Sequence, residues 1–173
     1  MSRLQADRRH SVRFSLNGKT CAGEAEPRRL LTDFLRHDIG ATGTHVGCEH
    51  GICGACTISI DGQPARACLT LAAQIDGCEI RTVESLAPSR GRLGILQSAF
   101  KRNHALQCGF CTAGILMSLD CFLRQHPQPD EESIRDVLGG HLCRCTGYTP
   151  IARAALEAAA IMAGDMSGEK SDA

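Results

Sequence analysis

Four cysteines constrain this chain more than anything else in it. Cys48, Cys53, Cys56 and Cys68 stand in the spacing C-x4-C-x2-C-x11-C. The first three reproduce the ligand run of a plant-type [2Fe–2S] site, and a distant fourth cysteine completes such a set. Two irons bridged by two sulfides take four thiolates, two per iron, so a loop must wrap the cluster. Gly47, Gly51 and Gly54 permit the backbone angles that wrapping demands. They also let N–H groups approach the sulfurs, which offsets negative charge and raises the reduction potential. The competing reading is a zinc knot, but C-x4-C-x2-C does not divide into the paired motifs zinc prefers. A thioredoxin-like use of Cys53-x2-Cys56 fails because the motif does not open a helix after a strand. His45 and His50 flank the run without the Cys-x-His pairs of a Rieske centre, so they are expected to pack the loop.

A second constellation follows, Cys108-x2-Cys111 and Cys143-x-Cys145. Cys111 stands at the start of an expected helix, where the dipole is positive. Cys143 and Cys145, two apart on an extended segment, can point the same way. Arg144 between them sets a cation beside the site. Taken alone, two such pairs suit a tetrahedral zinc ion as well as a cluster. Cys21, Cys78 and Cys121 remain and are expected to be buried free thiols. The total of eleven cysteines is odd, which argues against a complete disulfide framework.

The rest of the composition excludes other classes. Nineteen basic and nineteen acidic residues leave a formal net charge of zero. Nothing in this balance predicts non-specific attraction to nucleic acid or an anionic membrane, which needs a sustained basic field. With five Phe, one Tyr and no Trp, a base-stacking platform is not expected. Arg8-Arg9 hints at a twin-arginine signal, but residues 10–19 alternate polar and apolar instead of forming an apolar run. The longest uncharged stretch, between Arg102 and Asp120, is too short and polar for a membrane span of ~20 residues. The chain is therefore expected to be soluble and cytoplasmic. Asn17-Gly18-Lys19-Thr20 echoes a phosphate-binding loop, but Arg13 stands where that loop requires glycine.

The pattern along the chain divides in two. Strands are predicted over 11–16, 19–25, 57–60, 63–68 and 78–83, with hairpin turns at Asn17-Gly18 and Asp61-Gly62. A helix is predicted over 28–38, from Leu30, Leu31, Phe34 and Leu35. This half, 1–84, is expected to be a small α+β sheet domain. Residues 85–92 read as a linker. Helices are then predicted over 93–103, 111–125, 131–138 (capped by Asp130) and from Thr149, as cap, to about Met162. The second domain is set at 93–163, with a disordered tail over 164–173.

Three segments, in order, carry a family resemblance: Thr42-Gly43-Thr44-His45-Val46-Gly47-Cys48-Glu49-His50-Gly51-Ile52-Cys53-Gly54-Ala55-Cys56-Thr57, Gln107-Cys108-Gly109-Phe110-Cys111-Thr112, and Leu142-Cys143-Arg144-Cys145-Thr146-Gly147-Tyr148. Over about residues 11–160 the chain resembles the small subunits of molybdenum hydroxylases, the xanthine dehydrogenase and aerobic carbon-monoxide dehydrogenase family. Ala113 departs from the Pro that the family often has, a change a helix start tolerates. The resemblance implies an α+β chain, with a ferredoxin-like β-grasp domain followed by a four-helix bundle. It implies two [2Fe–2S] clusters, one on Cys48, Cys53, Cys56 and Cys68 and one on Cys108, Cys111, Cys143 and Cys145. Gln107 and Cys145 would touch a molybdopterin. Electrons would pass from the molybdenum centre through the second cluster and then the first to FAD. A chain of 173 residues has no room for those cofactors' domains. A large molybdopterin-binding and a medium FAD-binding subunit are therefore expected, in a heterotrimer or its dimer. The alternatives are a stand-alone di-cluster electron carrier and a zinc-stabilised interaction module.

Overall fold

The computed structural model describes residues 4–168 except residue 90. Strand β1 (His10–Leu16) turns at Asn17-Gly18 into β2 (Lys19–Ala25), in register from His10 opposite Ala25 to Leu16 opposite Lys19. Both turn residues have positive φ, 52° and 78°, the backbone that Asn-Gly adopts at low cost. The β1 alternation turns Val12, Phe14 and Leu16 inward. A single helical turn, α1 (Leu31–Asp33), continues as a wider turn over Phe34–Asp38. There Ile39 N–H reaches back five residues to the Phe34 carbonyl. The expected helix over 28–38 is thus shorter and wider. Burying Leu31, Phe34 and Leu35 against the sheet outweighs regular pitch.

Strands β3 (Thr57–Ile60) and β4 (Gln63–Arg66) form the second hairpin, and β5 (Glu79–Arg81) runs parallel to β1 and antiparallel to β3. The sheet order is β2-β1-β5-β3-β4, so β2 and β4 are the edges. The core of this half joins Val12, Phe14, Leu31, Phe34, Ile58 and Ile80. Each such side chain, fully buried, contributes about 1.5–3 kcal/mol.

The second half holds α2 (Ile95–Arg102), α3 (Thr112–Gln125), α4 (Glu131–Gly139) and α5 (Thr149–Gly168). Asp130 accepts a hydrogen bond from Ser133 N–H at 2.9 Å, the expected cap of α4. Thr149 is the first residue of α5 rather than its cap; Ala152 N–H bonds the Tyr148 carbonyl at 3.0 Å. Helix α5 also runs past Met162 and through 164–168, where a disordered tail was expected. Its Ala-rich composition sustains it through Gly164. Residues 169–173 lie outside the described residues. Ala152, Ala154, Ala155 and Ala158 let α5 approach α2 closely, around Phe100, Ile115, Leu119 and Ile134.

Helix α3 packs across β3, so the two halves share a seam. Arg81 of β5 and Asp120 of α3 are 2.9 Å apart there, and Arg124 braces the same carboxylate. At Gly114, a Cβ would collide with the Gly54 carbonyl oxygen. Helix and cysteine loop therefore meet backbone to backbone. Among the described residues no helix is long and apolar enough to cross a membrane.

Candidate metal centres

The first four cysteines hang from the β3–β4 hairpin. Cys56 immediately precedes β3, and Cys68 lies in the short helical turn Ala67–Leu69 that follows β4. Ala67 N–H bonds the Cys56 carbonyl at 3.2 Å, which draws those two positions together. Both are buried, at 2% and 3% exposure. Burial pushes the Cys56 thiol up to about 11, and the Cys68 sulfur adds to the rise. Cys48 and Cys53 come from the loop before β3. The N–H groups of Cys53 and His50 each lie 3.4 Å from the Cys48 sulfur. With Cys53 the larger contributor, they hold the Cys48 thiol down at about 6. These are the sulfur-directed N–H donors that the loop glycines were expected to allow. At Gly54, φ is +77° and a Cβ would strike the His141 ring, so both backbone and space exclude a side chain.

The second four join a helix start to a loop. Cys111 is the N-cap of α3 and is 8% exposed. Burial and the Cys143 sulfur push its thiol up to about 12, so burial overrides the helix dipole. Burial pushes Cys143 up as well, but the Thr146 hydroxyl and N–H, 3.1 and 3.5 Å from the sulfur, hold it below the ordinary thiol range. Tyr148 fixes this loop: its hydroxyl accepts from Cys143 N–H at 2.7 Å and donates to the His141 carbonyl at 3.0 Å. Cys108 and Cys145 are exposed, and the Cys108 sulfur pushes the Cys145 thiol up. Gln107 beside them is exposed, with no hydrogen-bond partner among the described residues.

The sulfurs therefore meet in twos: Cys48 with Cys53, Cys56 with Cys68, Cys111 with Cys143, and Cys108 with Cys145. Cys143 sits against Cys111 and Cys145 against Cys108, while the Cys143 sulfur also acts on Cys145 and the Cys108 sulfur on Cys111. Among the described residues, no three Cys, His, Asp or Glu side chains converge on one point as a single metal ion requires. Two pairs per site is the donor set of two irons with two thiolates each, so the residues fit a [2Fe–2S] group at both sites.

The two sites touch. Leu142 N–H donates to the Cys53 carbonyl at 3.0 Å. The His45 ring bonds the Phe110 carbonyl at 2.8 Å and stacks on its ring at 5.1 Å. His50 bonds the Cys48 carbonyl through Nδ1. Both histidines thus pack the loop, as expected. His141 is 2% exposed; its Nε2 meets the Ser118 hydroxyl at 2.7 Å, and burial, reinforced by Arg66, pushes it down to about 4. Of the three leftover cysteines only Cys121 is fully buried, while Cys21 and Cys78 are partly exposed. The sequence reading missed Arg66, His141 and Tyr148. Only the proximity of all three to cysteines, at two or three residues, could have flagged them.

A fold with paired thiols at two adjoining sites defines a protein built for two iron–sulfur clusters. Two family models match in tandem: a 2Fe-2S iron-sulfur cluster binding domain over residues 38–91 and a [2Fe-2S] binding domain over 82–156. The caffeine dehydrogenase subunit gamma of Pseudomonas sp. (strain CBB1) is 53% identical over 148 residues, covering 84% of this chain and 88% of that one. The nicotine 6-hydroxylase small subunit of Paenarthrobacter nicotinovorans is 53% identical over 150 residues, covering 87% and 90%. The crystal structure of quinoline 2-oxidoreductase from Pseudomonas putida 86 superposes with a TM-score of 0.88 at 48% identity, over 92% of this chain and 98% of that chain. The chain belongs to the molybdenum hydroxylase family, as one of its small iron–sulfur subunits.

Proposed function

We propose that Cys48, Cys53, Cys56 and Cys68 hold one [2Fe–2S] cluster and Cys108, Cys111, Cys143 and Cys145 the other, within a heteromeric hydroxylase. The observation that carries this is the pairwise meeting of eight thiols. In this reading 1–84 is a ferredoxin-like β-grasp domain, 85–92 a linker and 93–163 a four-helix bundle. When bound, the clusters supply a one-electron relay between molybdopterin on a large subunit and FAD on a medium subunit.

This chain's residues do the holding and aiming. The N–H groups of His50 and Cys53 stabilise thiolate at Cys48. Thr146 does the same at Cys143. The exposed edge with Gln107 and Cys145 is the side we assign to the molybdopterin, because its polar atoms are free to meet a partner. The Cys53 carbonyl and Leu142 N–H join the sites through one hydrogen bond. Reduced thiols suit the cytoplasm, where we set the complex. Because relatives are named for caffeine and nicotine, we assign the partner's substrate to the nitrogen heterocycles.

Metal analysis of the natively isolated protein tests the reading. About four irons per chain, with molybdenum and flavin on copurifying partners, is the expected result. Four irons with no partner would leave a stand-alone carrier, and zinc in place of iron would leave a structural module.

A further inference from the structure

Arg66 is the last residue of β4, two positions before Cys68. Its guanidinium is committed to the seam between the halves. One terminal nitrogen donates to the Gly140 carbonyl at 2.6 Å and the other to the Thr57 hydroxyl, while Nε reaches the Gly51 carbonyl at 3.4 Å. All three acceptors are neutral. Every ion pair among the described residues belongs to another arginine: Arg9, Arg29, Arg81, Arg102, Arg124 or Arg135. Arg66 is thus a half-buried cation, clamped in one position, with no carboxylate beside it. Such a charge is costly to desolvate unless an anion answers it.

We infer that the answering anion is the first cluster with its thiolates, and that Arg66 is a charge-setting residue that raises this cluster's reduction potential. This rests on the cluster assignment proposed above. Gly51 lies inside the ligand loop and Thr57 directly follows Cys56, so two of the three anchors belong to the cluster's own wall. One-electron reduction adds one negative charge to the cluster, so a fixed cation favours the reduced form. The third anchor, Gly140, belongs to the helical half, so the position of the charge depends on the halves being docked. Arg144, beside the second site, is exposed and bonded to nothing among the described residues. Solvent and salt screen it, and it has no comparable hold.

The test is a potentiometric titration of the full chain, isolated with its partners, followed by the spectrum of each reduced cluster. In Arg66→Gln the potential of the first cluster is expected to fall, while that of the second moves much less. Arg66→Lys keeps the charge without the planar fork and is expected to recover most of the shift. Thr57→Val keeps the charge and removes one anchor; its potential is expected to stay close to wild type. Unshifted potentials in Arg66→Gln with four irons retained overturn the inference, as do equal shifts at both clusters. If Arg66→Gln fails to hold iron, the other two variants decide. A large fall of the first cluster's potential in both Arg66→Lys and Thr57→Val, which keep the charge, shows that geometry matters and charge does not, and overturns the inference; potentials close to wild type in both support it. Wild-type protein without iron would sink the functional reading itself, a result distinct from all of these.

Discussion

The two cysteine sites lie against each other but are built on opposite principles. The first is set into a sheet: a hairpin of two four-residue strands carries Cys56 before it and Cys68 after it, and both are buried. The second is assembled from a helix start and two loops, and two of its four cysteines are exposed. Rigid strands enclose half of the first site, at Cys56 and Cys68, with backbone N–H groups aimed at the partly exposed Cys48 and a clamped arginine beside it. The second gives up enclosure and gains an open edge at Gln107, Cys108 and Cys145. The difference teaches that one small chain can bury two thiols of one site in a sheet and leave two thiols of the other open at an edge.

The strongest way to break the comparison is to remove a ligand from each side. Cys56→Ala is expected to take iron from about four to about two per chain and to destabilise the sheet half. Cys145→Ala is expected to lose the same amount of iron with little loss of stability. Equal destabilisation, followed by denaturant melts alongside iron content, would erase the distinction between buried and exposed walls. Next in size is Gly114→Ala, which drives a methyl group into the Gly54 carbonyl. It is expected to cost about 1–3 kcal/mol in chemical denaturation, since the seam cannot open without moving both sites.

The metal-free protein sharpens the contrast by thiol labelling. Thiolate is the reactive form, so Cys48, at about 6, is expected to label readily at pH 7, faster as pH rises through 6 and flat beyond it. Cys56 and Cys111, at about 11 and 12, are expected to stay slow until strongly alkaline pH. Mass spectrometry of labelled peptides reads the order, and fast labelling of Cys111 would contradict its burial. The smallest effect belongs to Asp130→Ala, which unties the start of α4 and should lower the melting midpoint slightly with both clusters kept. The Ser133 hydroxyl and N–H hold the Asp130 carboxyl below the usual range. Its contribution is therefore present above the unfolded carboxylate's pKa and is lost as pH falls through the lower folded value.

The strands and turns were legible because their signals are local. Asn17-Gly18 and Asp61-Gly62 demand positive φ, and alternation over 11–16 picks one face. The cysteine spacing was legible for the same reason. The wide turn at Phe34–Asp38 was not, because it is set by where Phe34 and Leu35 must be buried, information held in strands elsewhere in the chain. The pairing of Cys143 with Cys111 and of Cys145 with Cys108 was also hidden, since spacing says nothing about which sulfurs meet across thirty residues. Arg66 was invisible as an unpaired cation until its three acceptors, from three segments, were brought together.

The sheet's two edges carry a last consequence. At one edge β4 is only four residues long and includes Pro64, which has no N–H to offer; at the other, β2 bears Lys19 and Glu24. Neither invites another chain to extend the sheet by strand addition, and neither is a template for aggregation. Assembly is thereby steered away from backbone ladders and toward side-chain recognition at the irregular surface around the sulfurs. A protein that must join a larger machine in one orientation gains specificity from making its most promiscuous surfaces unavailable.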